Sequence, residues 1–328
     1  MEMKEYIENF VNHLKESMKI GEKSERRKKK KINKVIICGL GGSGIGATII
    51  QNLFDPIVNI PIVVSKNYNI PNFVDTNTLC IISSYSGNTE ETLHALKECE
   101  DRNSAIHIVT SGGKLQNIAQ DKKYDHVIIP GGHPPRAMFG YSFTQLFYVL
   151  YNYDIVSDNF KNEFKKSIDL LQKEKDNIKD LAKNLAKTLY NHTPVIYVDQ
   201  PFEGVAVRFR QQLNENSKML CWHHVIPEMN HNELLGWRTN TEKLAVVYLR
   251  NRLDFKKNQK RIEINKKIIS KYTINITEIW SKGETLIENT LYHICLGDWT
   301  SWYLSVLNKV DAIEIDVINY LKEKMSDE

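Results

Sequence analysis

Leu79-Cys80-Ile81-Ile82-Ser83-Ser84-Tyr85-Ser86-Gly87-Asn88-Thr89-Glu90-Glu91-Thr92-Leu93 contains the transition that decides the fold. Its first four residues are an apolar run, the pattern of a strand buried on both faces. From Glu90 onward the residues favour a helix. Between the two lie the hydroxyls of Ser84, Ser86 and Thr89, with Gly87 among them. A helix N-terminus presents free backbone N–H groups and the positive end of the helix dipole, so it suits an anion, and hydroxyls add donors. A Ser or Thr can also simply cap the helix. One cap needs one hydroxyl, and this segment offers three and a glycine. The loop has no lysine, which excludes an ordinary P-loop.

Upstream, Gly39-Leu40-Gly41-Gly42-Ser43-Gly44-Ile45-Gly46 follows the apolar run Val35-Ile36-Ile37. It matches GxGxxG. A dinucleotide site would also need an acidic residue at the end of the second strand, and that strand ends Val64-Ser65-Lys66-Asn67-Tyr68. The glycines therefore predict a close backbone approach rather than nicotinamide binding. Further runs at 62–64, 106–109 and 126–129 alternate with helix-like segments and predict a parallel sheet. The apolar spacing of Tyr6, Ile7, Phe10, Val11, Leu14 and Met18 predicts a leading helix. Residues 155–190 have helical period and no Gly or Pro, and predict one connecting helix. A second α/β pattern starts at 194–198 and continues through 244–249 and 273–276, and Asp316–Met325 predicts a C-terminal helix. The expected organisation is a first domain over 1–153, a connecting helix over 154–190 and a second domain over 191–328.

At 328 residues the chain has room for two domains of roughly 150 residues. With 41% hydrophobic and 26% charged residues it has the composition of a soluble protein. A net charge of +4 does not mark a dedicated nucleic-acid binder. The basic run Arg26–Lys31 has no interleaved aromatics and is read as a solvated linker rather than an anion patch. No apolar stretch is long enough to span a membrane, and the charged N-terminus has no signal core. Cys38, Cys80, Cys99, Cys221 and Cys295 have no CxxC spacing, so reduced, buried thiols and a cytoplasmic protein are expected. Cys221, His223, His224 and His231 fit no metal-ligand spacing, and no metal is expected.

SSYSGNTEETL, preceded by GLGGSGIG, resembles the phosphosugar-binding signature of sugar isomerase (SIS) domains. PPRAMFGYSF at 134–143, NENSK at 214–218 and PEMNHNELLGW at 227–237 extend the resemblance to the bifunctional phosphoglucose/phosphomannose isomerase family, from about residue 35 to the C-terminus. The resemblance implies two SIS domains, each a flavodoxin-like parallel sheet flanked by helices. It implies aldose–ketose isomerisation of a hexose 6-phosphate through a cis-enediol, without a cofactor. Ser84, Ser86 and Thr89 would hold the phosphate, and the backbone of Gly41, Gly42 and Ser43 would line the sugar. Glu215 would be the base between C2 and C1, and Arg136 would offset the intermediate's charge. His231 would open the ring, reaching in from the neighbouring chain of a homodimer. Lys322 would assist, with Lys309 and Lys324 as alternatives. A VDPxPV-like segment expected near the C-terminus is replaced by Val310-Asp311-Ala312-Ile313-Glu314-Ile315.

By their own residue types these positions are less telling. Arg136 could be a surface charge or a salt bridge. Glu215 near a helix C-terminus is mildly disfavoured by the dipole. His231 is flanked by polar residues, which speaks against a core histidine. A non-catalytic sugar-phosphate sensor would need a DNA-binding module, for which one helix and a basic run before residue 34 are too little. A nicotinamide-dependent oxidoreductase lacks its acidic residue. A SIS isomerase for an arabinose or amino-sugar phosphate is the nearest alternative.

Overall fold

Val35, Ile36 and Ile37 are wholly buried, as an apolar run without alternation requires when both faces of a strand are covered. They lie in β1 (Lys34–Cys38), which pairs in parallel with β2 (Ile62–Ser65) and β3 (Thr78–Ser84). β4 (Ala105–Thr110) and β5 (Asp125–Ile128) complete a sheet of order β2-β1-β3-β4-β5, the flavodoxin-like order. A second parallel sheet has the order β7-β6-β8-β9, from β6 (Thr193–Asp199), β7 (Trp222–Ile226), β8 (Leu244–Arg250) and β9 (Ile276–Trp280). The computed structural model describes residues 2–25, 31–240 and 243–326. Except for Lys31, the basic run at 26–31 lies outside the described residues.

The leading segment forms α1 (Met3–Glu8) and α2 (Phe10–Glu22), which meet at Asn9, where a single helix was expected. The first sheet carries α3 (Gly41–Phe54), α4 (Glu90–Asp101), α5 (Gly113–Asp121) and α6 (Phe139–Asn152). The stretch expected as one connecting helix is two, α7 (Asn159–Lys173) and α8 (Lys175–Leu189). The break falls at Glu174, whose carboxylate accepts from Asn177 Nδ2 at 3.0 Å and Lys282 Nζ at 2.6 Å. A tertiary contact thus bends a segment that has no helix breaker. The second half contributes α9 (Glu203–Ser217), α10 (Lys256–Ile269), α11 (Leu286–Asn308) and α12 (Asp316–Ser326).

β9 begins where the predicted strand 273–276 ends. Thr273 donates its hydroxyl to Leu244 O, Asn275 N–H bonds back to Thr273 Oγ1, and Ile274 points into solvent, so 273–275 is a turn. The true strand, Ile276-Thr277-Glu278-Ile279-Trp280, is disguised by its polar residues. Among the described residues no helix is long and apolar enough to cross a membrane.

The two sheets share one core. α11 is buried over most of its length and packs against α7, α8 and α9. Its Asp298 is nevertheless an acid. Both its oxygens accept from Arg208 Nη2 of α9, at 3.0 and 2.8 Å, and Oδ1 also accepts from Gln212 Nε2. Burial pushes the Asp298 carboxyl above its ordinary range and Arg208 opposes that shift. Removing one partner of such a pair strands the other charge in the core, at about 3–5 kcal/mol. Asp298→Ala should therefore lower the urea-unfolding free energy by about that amount. An unchanged unfolding midpoint would show that the pair holds nothing together.

Candidate active site

In the first sheet the chain leaves β1 in opposite directions to reach β2 and β3, so a crevice opens beyond the carboxyl ends of β1 and β3. Both predicted loops lie there. After β3, the Ser84 and Thr89 hydroxyls bond to each other at 2.9 Å, and Ser86 Oγ accepts from Asn88 N–H at 3.3 Å. Thr89 is the N-cap of α4, yet its side chain makes no capping bond. Simple capping therefore does not account for these hydroxyls, and the first N–H groups of α4 keep their capacity for an anion.

The loop is shaped by Gly87. Its φ is +67°, and a Cβ there would lie 1.8 Å from Gly112 O. No other residue fits this left-handed, backbone-crowded position. The two loops are joined by Ser43, whose hydroxyl accepts from Tyr85 N–H at 3.1 Å. The Ser43 side chain is thus spent inside the protein, and only its backbone remains to face a ligand. Gly42 allows a second approach: a Cβ on it would meet Pro135 O at 3.3 Å and Arg136 Cα at 3.5 Å. The Pro135–Met138 turn therefore packs directly on the N-terminus of α3.

Arg136 on that turn is 3% exposed, which excludes the surface-charge reading. Its Nε donates to Asn216 Oδ1 at 2.8 Å, and Nη2 donates to the carbonyls of Ala312 and Ile313. Nη1 stands 3.4 Å from Glu215 Oε2. Burial pulls the guanidinium below its ordinary pKa, and the Glu215 charge acts against that. Glu215 lies in the last turn of α9, which runs on to Ser217. Its side chain is 29% exposed and lines a cavity of about 440 Å³ with Met219, Leu220 and Ile318.

Lys218 was not singled out from the sequence, although it ends the quoted NENSK motif. It caps α9 in the left-handed conformation, with φ +56°, and its Nζ donates to Glu215 O at 2.6 Å and Glu314 O at 2.7 Å. It ties the Glu215 turn to the segment where the expected proline motif is missing. Burial lowers its pKa, Glu314 raises it and Arg136 lowers it further.

His231 is not brought to this centre within one chain. It is exposed at the end of the Glu228–His231 turn in the second half, and no hydrogen bond or ion pair among the described residues joins it to Glu215 or Arg136. Lys322 is exposed on α12 and likewise makes no bond to the pair; only the start of that helix, at Val317 and Ile318, lines the cavity beside Glu215. Lys309 is the left-handed cap of α11, and Lys324 stacks over the Tyr320 ring. Of the four residues weighed as a metal cluster, three have separate partners and His231 stands apart from them on its exposed turn. Cys221 contacts Arg210 O, His223 meets Arg210, and His224 meets Glu233. Burial, then Arg210, hold the His223 imidazole down at about 4.

Two parallel sheets, with a hydroxyl-rich loop at the switch point of the first and an Arg136–Glu215 pair whose arginine lies on a turn packed against the N-terminus of α3, have the architecture of a double-SIS protein. Residues 29–151 match the SIS domain, and residues 178–325 match the bacterial phospho-glucose isomerase C-terminal SIS domain. The chain is 35% identical to the bifunctional phosphoglucose/phosphomannose isomerase of Caldicellulosiruptor bescii, over 99% of each chain. It is 33% identical to that of Thermoplasma volcanium, over 90% of this chain and 92% of the relative. It is also 32% identical to a D-glucosamine-6-phosphate 4-epimerase of Sulfolobus acidocaldarius, over 62% and 64% respectively. A solved structure, the C-terminal domain of glucosamine-fructose-6-phosphate aminotransferase from Francisella tularensis, shares the fold with a TM-score of 0.78 over 95% of this chain and 98% of that one, at 12% identity. The chain belongs to the bifunctional phosphoglucose/phosphomannose isomerase family.

The loop geometry makes one substitution decisive. Gly87→Ala should cost about 1–3 kcal/mol through backbone strain. It should also abolish binding of inorganic phosphate, followed by calorimetric titration, because the hydroxyls lose their arrangement. Wild-type phosphate affinity in this variant would show that the loop is not the anion site.

Proposed function

We propose that this protein interconverts glucose 6-phosphate, and mannose 6-phosphate, with fructose 6-phosphate by proton transfer through a cis-enediolate. The observation that carries this reading is the Glu215–Arg136 pair, 3.4 Å apart, whose arginine lies on a turn that packs against Gly42 of the glycine loop, in a chain of this family. The phosphate sits on Ser84, Ser86, Thr89 and the N-terminus of α4. The backbone of Gly41, Gly42 and Ser43 runs along the sugar. His231, assisted by Lys322, moves a proton between O5 and O1 to open the ring, a task suited to an imidazole near neutral pH. Glu215 takes the C2 proton, the electron pair forms the C1–C2 double bond, and charge moves onto O1. Arg136 is already buried and oriented, so it offsets that charge without reorganising. Glu215 then delivers the proton to C1 while the O2 proton passes to O1, which leaves the ketone at C2 and a hydroxyl on C1. Glucose and mannose 6-phosphate differ only at C2, which is planar in the enediolate, so one base can serve both. No redox cofactor or metal takes part in this scheme.

His231 is read as coming from a second copy of the chain. Within one chain it has no partner at the centre. Leu235 nearby is 68% exposed, and α12 carries Val317 and Leu321 at 82% and 60% exposed. Apolar side chains displayed this way suit an interface between copies. The site is then shared in a homodimer. Five free cysteines support a cytoplasmic enzyme of hexose phosphate metabolism, acting in glycolysis or gluconeogenesis.

Glu215→Gln should cut turnover by about 10²–10⁴-fold with phosphosugar binding retained. Near-wild-type turnover removes Glu215 from the mechanism. Assaying fructose 6-phosphate formation beside glucosamine 6-phosphate epimerisation separates the proposed reaction from that of the epimerase relative. The shared site has its own test. Inactive Glu215→Gln and His231→Ala proteins, unfolded and refolded together, should regain part of the activity, because a mixed dimer carries one wild-type site. No recovery, with mixed dimers shown to be present, rules the shared site out.

A further inference from the structure

His231 has no hydrogen-bonded support of its own among the described residues, yet the chain around it is tightly held. On its N-terminal side Met229 is fully buried, and Asn230 Nδ2 donates to Asn265 Oδ1 at 2.6 Å. On its C-terminal side Asn232 donates to Glu228 Oε1 at 2.9 Å and accepts from Glu233 N–H at 2.5 Å. The strongest fixing point is the next side chain. Glu233 Oε1 accepts from Tyr197 Oη at 2.6 Å and from Trp222 Nε1 at 3.1 Å, while Oε2 meets His224 Nδ1 at 2.7 Å. Tyr197 lies on β6, and Trp222 and His224 lie on β7, so one carboxylate spans two strands of the second sheet. Tyr197 Oη in turn accepts from Trp237 Nε1 at 3.1 Å, which fixes the far end of the same loop. Tyr197 and Trp237 are both buried.

This is an unusual use for a half-buried acid. It caps no helix and faces no lysine or arginine within hydrogen-bond reach among the described residues. Its donors are two aromatic side chains and an imidazole, all belonging to the sheet end that carries the His231 loop. An ionised carboxylate accepts at both oxygens, and bonds to it are the stronger kind. A catalytic group on a loop needs such support, because a displacement of about 1 Å can cost about 10²-fold in rate.

We propose that Glu233 is a positioning residue for ring opening: by joining Tyr197, Trp222 and His224 it sets the direction in which His231 is presented. This rests on the role given to His231 above. It predicts a defect confined to the ring-opening step. Opening and reclosing the ring interconverts the α and β anomers of glucose 6-phosphate and does not need the base that acts at C2. The experiment therefore uses full-length Glu215→Gln protein, in which isomerisation is blocked, and reads catalysed anomerisation of glucose 6-phosphate by NMR exchange.

Adding Glu233→Gln to that background should slow anomerisation at least tenfold while the affinity for inorganic phosphate stays within about twofold, because the phosphate loop belongs to the other sheet. Tyr197→Phe, which removes one of the three donors and keeps the ring packed, should slow it to an intermediate degree and serves if Glu233→Gln does not fold. Undiminished anomerisation in the folded Glu233 variant overturns the proposal, as does a loss matched by an equal loss of phosphate affinity. His231→Ala in the same background separates the two ideas. If anomerisation disappears with His231→Ala but persists with Glu233→Gln, only the positioning role falls. If it persists with His231→Ala, the role of His231 falls first.

Discussion

The Arg208–Asp298 pair is the interaction on which the site depends. It is an ion pair inside the core, where two charges are tolerated only with satisfied hydrogen bonds. Arg208 meets that condition through Nη2, which reaches Asp298 on one side and the carbonyl oxygen of Arg136 on the other, at 3.3 Å, while its Nε has no hydrogen-bond partner among the described residues and its guanidinium lies 4.2 Å from the centre of the Phe139 ring. The pair therefore holds α9 against α11 and also fixes the turn that carries Arg136. From there the order passes outward. Arg136 holds Asn216, Glu215 and the 312–313 carbonyls, and Asn216 donates in turn to Ser301 Oγ of α11. The Arg136–Glu215 pair at the edge of the cavity is thus an extension of a core network, which is the kind of support a preorganised charge needs.

The two sheets treat their switch points differently. Between β1 and β3 the loops carry hydroxyls and free helix N–H groups. At the matching place in the second sheet the protein fills the position with its own side chains. Asp199 at the end of β6 accepts from Phe255 N–H and from Asn258 Nδ2, both at 2.7 Å. Arg250 at the end of β8 is buried, bonded to Asp254 at 3.0 Å, paired with Glu278 and laid over Trp280. Burial pushes the Asp254 carboxyl up to about 6, against the pull of Arg250. A polar network closed on itself rigidifies its surroundings. His231, the residue proposed to open the ring, sits away from this switch point, on the loop after β7.

Several features were legible before any coordinates. The apolar runs located seven of the nine strands among the described residues to within a residue or two, because a strand buried on both faces leaves a continuous hydrophobic signature. β7 (Trp222–Ile226) was not read as a strand, because His223 and His224 interrupt its apolar run. β9 escaped because its outer half serves the Arg250 cluster and so carries Glu278 among the apolar residues. The serine loop and the glycine loop were readable because their chemistry is local: hydroxyls and small residues within one turn of a helix start. Gly87 was visible as a glycine, but the carbonyl of Gly112 that makes it obligatory was not.

What the sequence determined by itself was local: periodicity, loop chemistry, the pattern of an α/β protein and the motifs that carry the family resemblance. What the tertiary structure alone decided was which distant residues meet. Arg136 and Glu215 lie seventy-nine positions apart and become neighbours only because α9 crosses the first domain. The split of 155–190 into α7 and α8 and the clamp of Lys218 onto Glu314 have the same origin. So does the exposure of Lys322 on α12, where it makes no bond to that pair among the described residues. The physical reason is common to all of these. A side chain's intrinsic preferences extend over a turn or two of chain, whereas burial, pairing of charge and hydrogen-bond satisfaction are settled by whatever the packed core brings alongside.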